Sequence, residues 1–92
     1  MNAKYKLFDY VLVSGNKTGF GDIVGQIIEV DIKNYDEPMY NISFVISETP
    51  KGCDNGIFCA EKFLEQNEKT KYITNTMRSK KMQYSKQKAS FH

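Results

Sequence analysis

A small all-β barrel followed by a basic extension is the fold that this 92-residue sequence predicts, and three observations predict it. Tyr40, Ile42, Phe44 and Ile46 alternate strictly with polar or small neighbours, the two-residue period of a half-buried strand. The other β-branched and aromatic runs are short and are broken by clusters of Gly, Asn, Asp and Pro, as in an antiparallel meander. Charge divides sharply at Glu68, which separates a barrel over residues 1–68 from an extension over residues 69–92. The length suffices for one hydrophobic core and not for two.

Tyr10, Val11, Leu12 and Val13 form the first expected strand, stopped by the turn-forming residues Ser14, Gly15 and Asn16. After Gly19–Asp22, a long β-branched stretch from Ile23 to Ile32 forms the second, with Gly25 expected to mark a bulge or sharp bend. From Ile28 onward, Ile28, Val30 and Ile32 alternate with Glu29, Asp31 and Lys33, so the isoleucines and the valine are expected on a buried face. Asn34–Pro38 reads as a turn, Met39–Ser47 as the third strand, Glu48–Asn55 as an exposed loop, and Gly56–Cys59 as a brief fourth strand. The period then changes, and Ala60–Glu65 suits one helical turn with Phe63 and Leu64 pressing onto the barrel. Tyr72 and Ile73 predict a closing fifth strand over Lys71–Thr76. Ile73, Met77 and Tyr84 also have the spacing of one side of a helix from about Asn75 to Lys88, a second reading of the same region.

Four segments carry a resemblance to a known superfamily. Phe8-Asp9-Tyr10-Val11 is followed by Gly25-Gln26-Ile27-Ile28-Glu29-Val30, then by Tyr40-Asn41-Ile42-Ser43-Phe44, and last by Phe58-Cys59-Ala60-Glu61-Lys62-Phe63-Leu64-Glu65. In this order they resemble the SH3-like barrels, particularly small KOW- and Tudor-like bacterial and phage modules, over roughly residues 6–66. The resemblance implies a five-stranded barrel with a short helical turn. The superfamily holds RNA, DNA, peptide and methylated-side-chain binders, so it selects no ligand, and residues 69–92 have no counterpart in it.

Nothing in the sequence assembles an enzyme. His92 is the sole histidine and ends the chain, and Gly19-Phe20-Gly21 lacks the Gly-Lys-Ser that would follow in a phosphate loop. Cys53 and Cys59, six apart, match neither a redox CxxC nor half of a zinc knuckle, which leaves two free thiols, a local disulfide, or a metal site short of ligands. Free thiols and no cofactor are the expectation. No apolar run reaches the roughly 18 residues of a membrane span, and Met1–Lys6 leads into a broken apolar pattern rather than a signal sequence, so a cytoplasmic, membrane-free protein is expected.

The charge split points toward binding. Residues 1–68 hold eleven acids against Lys4, Lys6, Lys17, Lys33, Lys51 and Lys62, a net of −5; residues 69–92 hold Lys69, Lys71, Arg78, Lys80, Lys81, Lys86 and Lys88 with no acid, a net of +7. Interleaved Tyr72, Tyr84 and Phe91 complete the combination that single-stranded nucleic acid selects, cations for its phosphates and aromatic faces for its bases. The first expectation is therefore an accessory factor for RNA or single-stranded DNA that uses Lys69, Lys71, Tyr72, Arg78, Lys80, Lys81, Tyr84, Lys86 and Lys88. An acidic protein surface is the other partner that suits this segment, including the acidic barrel of a second copy in a homo-oligomer. The alternative function is a protein-binding inhibitor or adaptor of the kind phages and other mobile elements direct at host machinery, with Phe20, Tyr35 and Tyr40 as an aromatic peptide pocket.

Overall fold

In the computed structural model, which describes residues 2–45 and 55–77, five antiparallel strands curl into a half-barrel. They are β1 (Tyr10–Val13), β2 (Ile23–Asp31), β3 (Met39–Phe44), β4 (Gly56–Ala60) and β5 (Leu64–Glu65), in the sheet order β4-β3-β2-β1-β5. A four-residue helix α1 (Gly15–Thr18) links β1 to β2, a 3-10 turn at Glu61–Phe63 links β4 to β5, and a helix α2 follows over residues 68–77. The expected end of the third strand at Ile46 and Ser47, most of the following loop including Cys53, and residues 78–92 lie outside the described residues.

The β3 pattern explains the core. Tyr40, Ile42 and Phe44 are buried while Met39, Asn41 and Ser43 are half-exposed, so the alternation read from the sequence is the alternation of the strand. Opposite them stand Val11 and Val13 of β1, Ile23 and Ile27 of β2, Cys59 of β4 and Leu64 of β5, with Tyr5 closing the end. The close approach of β2 to β3 requires glycine at position 25, because a methyl group there would collide with Cγ2 of Ile42 and press on the Ser43 carbonyl.

Gly25 is thus a packing residue, and the irregularity expected there lies three residues on, where the β2–β3 register shifts between Ile27 and Glu29. The shift overturns the expected buried stripe. An extra residue breaks the two-residue period, and β1 pairs with β2 only as far as Gln26, so the far half of β2 is flanked by β3 alone among the described strands. Ile28 and Ile32 are exposed, and only Val30 packs against the core. Asp31 then ends the strand by accepting hydrogen bonds from the backbone N–H groups of Lys33 and Asn34 and from the Asn34 side chain, and these bonds hold its carboxyl below the usual value.

Ser14 does not simply turn the chain. It caps α1, its hydroxyl accepting from Asn16 N–H, and Asp22 reaches back to accept from Gly15 N–H at 2.8 Å. Gly19 and Gly21, at φ +80° and +96°, occupy backbone conformations that a side chain would strain. The expected helical turn at residues 60–65 is present but shorter, since Leu64 and Glu65 already pair with Val13 and Leu12 as β5. Fifth-strand pairing therefore comes from Leu64–Glu65, and residues 71–76 are helical instead.

Candidate nucleic-acid interface

Two-residue β5 stops short of Tyr10, which pairs with Gln26 of β2 on one side and has no strand beside it on the other, and side chains fill that place. Gln66 Nε2 donates to the Tyr10 carbonyl at 3.0 Å, and Thr74 Oγ1 accepts from Tyr10 N–H at 2.8 Å. Helix α2 is anchored to the sheet by that threonine. Its start is fixed by a reciprocal cap: Thr70 N–H donates to Asn67 Oδ1, and Asn67 N–H donates to Thr70 Oγ1, both at 2.9 Å. Lys71 N–H donates to the Asn67 carbonyl at 3.0 Å, the first bond of the helical ladder. This cap and anchor explain why two β-formers, Tyr72 and Ile73, sit in a helix.

The anchored face consists of Thr70 and Thr74, both buried, with half-buried Ile73 between them. The opposite face presents Lys69, Lys71 and Tyr72, and Tyr72 is the most exposed large hydrophobic residue described, at 71%. Lys69 and Tyr72, three apart, are surface neighbours on a helix. Met77 is 46% exposed, so of the two described residues of the proposed helical stripe Ile73 turns inward and Met77 does not. Arg78, Lys80, Lys81, Tyr84, Lys86 and Lys88 lie outside the described residues.

The expected aromatic pocket does not form. Tyr40 is wholly buried in the core, edge-to-face with Tyr5 at 5.9 Å. Its hydroxyl donates to Glu61 Oε2 at 2.7 Å and accepts from Tyr5 N–H at 3.3 Å, while Lys4 N–H donates to the same carboxylate oxygen. The alternation that places Ile42 and Phe44 inside also places Tyr40 there. Phe20 and Tyr35 are exposed, but they flank opposite ends of β2, whose nine residues extend about 26 Å at ~3.3 Å per step, too far for a shared pocket. Tyr35 instead pairs with Phe58 of β4, ring centres 5.6 Å apart.

Burial and the bond to Glu61 push the Tyr40 hydroxyl up to about 12. An unfolded tyrosine ionises near pH 10, so between pH 10 and 12 the folded chain keeps a proton that the unfolded chain loses. Stability is expected to be intact below pH 10 and to fall as pH rises through 12. Denaturant midpoints measured across this range, beside tyrosinate absorbance, check it; a midpoint independent of pH, or its survival unchanged in Tyr40→Phe, contradicts it.

Two lysines of the acidic part converge from two segments. Lys17 Nζ of α1 and Lys62 Nζ of the 3-10 turn lie 5.1 and 5.3 Å from the Phe63 ring centre; Lys62 is the chain neighbour of that ring, and the contact with Lys17 is the one that the sequence does not reveal. Lys62 and Phe63 also line a polar groove of about 210 Å³, together with Ser14, Asp22 and Glu65. Cys59 is a buried thiol whose ionisation is opposed by burial, an inert setting for sulfur chemistry. Among the described residues no three His, Cys, Asp or Glu side chains gather to hold a metal, and no helix is long and apolar enough to cross a membrane. Comparison with protein-family models, curated proteins and solved structures finds no match for this chain.

Proposed function

We propose that this chain is a non-enzymatic binding protein, an SH3-like barrel that carries a basic C-terminal segment for single-stranded nucleic acid, RNA or DNA. The observation that carries the reading is the solvent face of α2, where Lys69, Lys71 and Tyr72 are displayed from a helix capped by Asn67 and tied to β1 through Thr74. A side chain that only packed the barrel would turn inward as Thr70 and Thr74 do; Tyr72 turns outward beside two cations. That is the arrangement of a stacking platform with its phosphate contacts. It also sets where the basic segment begins: residues 78–92, with five further cations and no acid, continue from a helix already fixed to the sheet. A duplex reader is disfavoured by the position of α2, whose inward face is occupied by the sheet edge.

Tyr72→Ala tests the platform. Loss of one stacked base costs about 1 to 3 kcal/mol, so affinity for a single-stranded oligonucleotide, followed by fluorescence anisotropy, is expected to fall about 5- to 150-fold. At 71% exposure the substitution leaves the fold intact, which circular dichroism verifies. Tyr72→Phe should bind as the parent does, since it keeps the ring. Equal affinity for parent and Tyr72→Ala rejects the role given to Tyr72.

A further inference from the structure

The two edges of the sheet are treated differently. At the β1–β5 edge the ladder is only two residues long, and Gln66 and Thr74 occupy the next backbone groups, so no free template is left there. Among the described residues the β4 edge has no such cover. Phe44 N–H donates to the Asn55 carbonyl, and in the β3–β4 register this makes Ile42–Ile57 and Tyr40–Cys59 the hydrogen-bonded pairs. By the same alternation the backbone N–H and C=O of Gly56 and Phe58 point away from β3. Among the described residues nothing bonds to them.

Edges of this kind are usually blunted by lysine, proline or a bulge. Gly56-Ile57-Phe58-Cys59-Ala60 contains none of these and no charge at all. Its most accessible part is Gly56–Phe58, where Gly56 and Ile57 are half-exposed and Phe58 is 41% exposed with the 48% exposed Tyr35 against it.

We propose that β4 pairs antiparallel with β4 of a second copy about a two-fold axis at Ile57. A strand segment centred in this way is complementary to itself, as a two-fold interface demands. Gly56 of each copy then faces Phe58 of the other in a hydrogen-bonded pair, giving four backbone bonds. Each Phe58 ring covers the bare Cα of the opposite Gly56, and the two Ile57 side chains meet on the core side. The uncharged strand brings no like charges together, and a chain of net charge +2 carries little overall repulsion. Gly56–Phe58 is a short contact beside the roughly 20 to 30 residues per side of a standard stable interface, so the dimer is reversible and concentration-dependent. This surface is separate from the face of α2 assigned to nucleic acid, so either assignment stands without the other.

Sedimentation of the full chain from 10 µM to about 1 mM, in 0.15 M and 1 M salt, tests the pairing. A monomer–dimer equilibrium that persists in 1 M salt is expected, with hydrogen exchange at Gly56 and Phe58 slowing as concentration rises. Phe58→Pro removes an outward donor while Ile57 and Cys59 keep the β3–β4 ladder, and it should weaken dimerisation at least tenfold. Phe58→Lys, which leaves the backbone unchanged and adds charge to the edge, should do the same and decides the matter if the proline variant does not fold. A chain that stays monomeric to 1 mM overturns the proposal. So does a dimer that both variants leave intact, or one that dissolves in 1 M salt, the behaviour of an acidic barrel paired with a basic segment.

Discussion

Replacing Ile42 by alanine is expected to destabilise the fold by about 2 to 5 kcal/mol, the cost of emptying a fully buried site that cannot collapse. The site is held open from three sides. Ile42 is paired with Ile27 of β2 and Ile57 of β4, and its Cγ2 methyl rests on the backbone of Gly25. For a chain of this size each 1 kcal/mol moves the melting temperature by about 4 to 8 °C, so calorimetry should register a fall of roughly 10 °C or more. Gly25→Ala should also destabilise, because its methyl collides with the one it meets from Ile42. Combined, the two changes should cost less than their sum, since the new methyl enters the space vacated by the old. Strict additivity, or an unchanged melting temperature for Ile42→Ala, contradicts the packing described.

The second large effect concerns the basic segment. Ending the chain after Met77 removes Arg78, Lys80, Lys81, Lys86 and Lys88 and no acid, yet keeps the cap, the anchor and Tyr72. Affinity for single strands at low salt is expected to collapse while the melting temperature stays within a few degrees. A cut after Glu68 is a poorer test, because it also deletes Thr70 and Thr74 and leaves Tyr10 N–H without its acceptor. Losing that bond and the burial of Thr70 and Thr74 removes packing from the sheet, so that variant is expected to bind less and to melt earlier, confusing two effects.

Much of the half-barrel was legible because its strands obey local rules. The alternation in β3 follows from the geometry of one strand with one wet face, and Gly, Asn and Asp mark the turns that bound it. Where non-local contacts decide, local reading failed. Ile28, Val30 and Ile32 have a buried pattern, but whether a stripe is buried depends on what lies across from it, and β1 is too short to reach. Lys71–Thr76 has strand-forming residues, yet Asn67 and Thr70 sit at the spacing of a helix cap, a signal present in the sequence and outweighed by Tyr72 and Ile73. Tyr40 could have been placed correctly from its own strand, since any face that buries Ile42 buries it too. The contact of Lys17 with Phe63 joins α1 to the 3-10 turn across 46 positions of chain and had no sequence signal.

The salt dependence of single-strand binding tests the central claim most directly. Each phosphate neutralised on a single strand contributes a slope of about −0.7 to the plot of log affinity against log salt. With seven cations engaged, the full chain is expected to give a slope of about −4.9, and the chain ending at Met77, with Lys69 and Lys71 alone, about −1.4. Anisotropy titrations of one labelled oligonucleotide from 50 to 300 mM salt measure both. Slopes that differ by about 3.5 are the result this account predicts; the same slope for both chains, or no binding by the full chain at 50 mM salt, contradicts it.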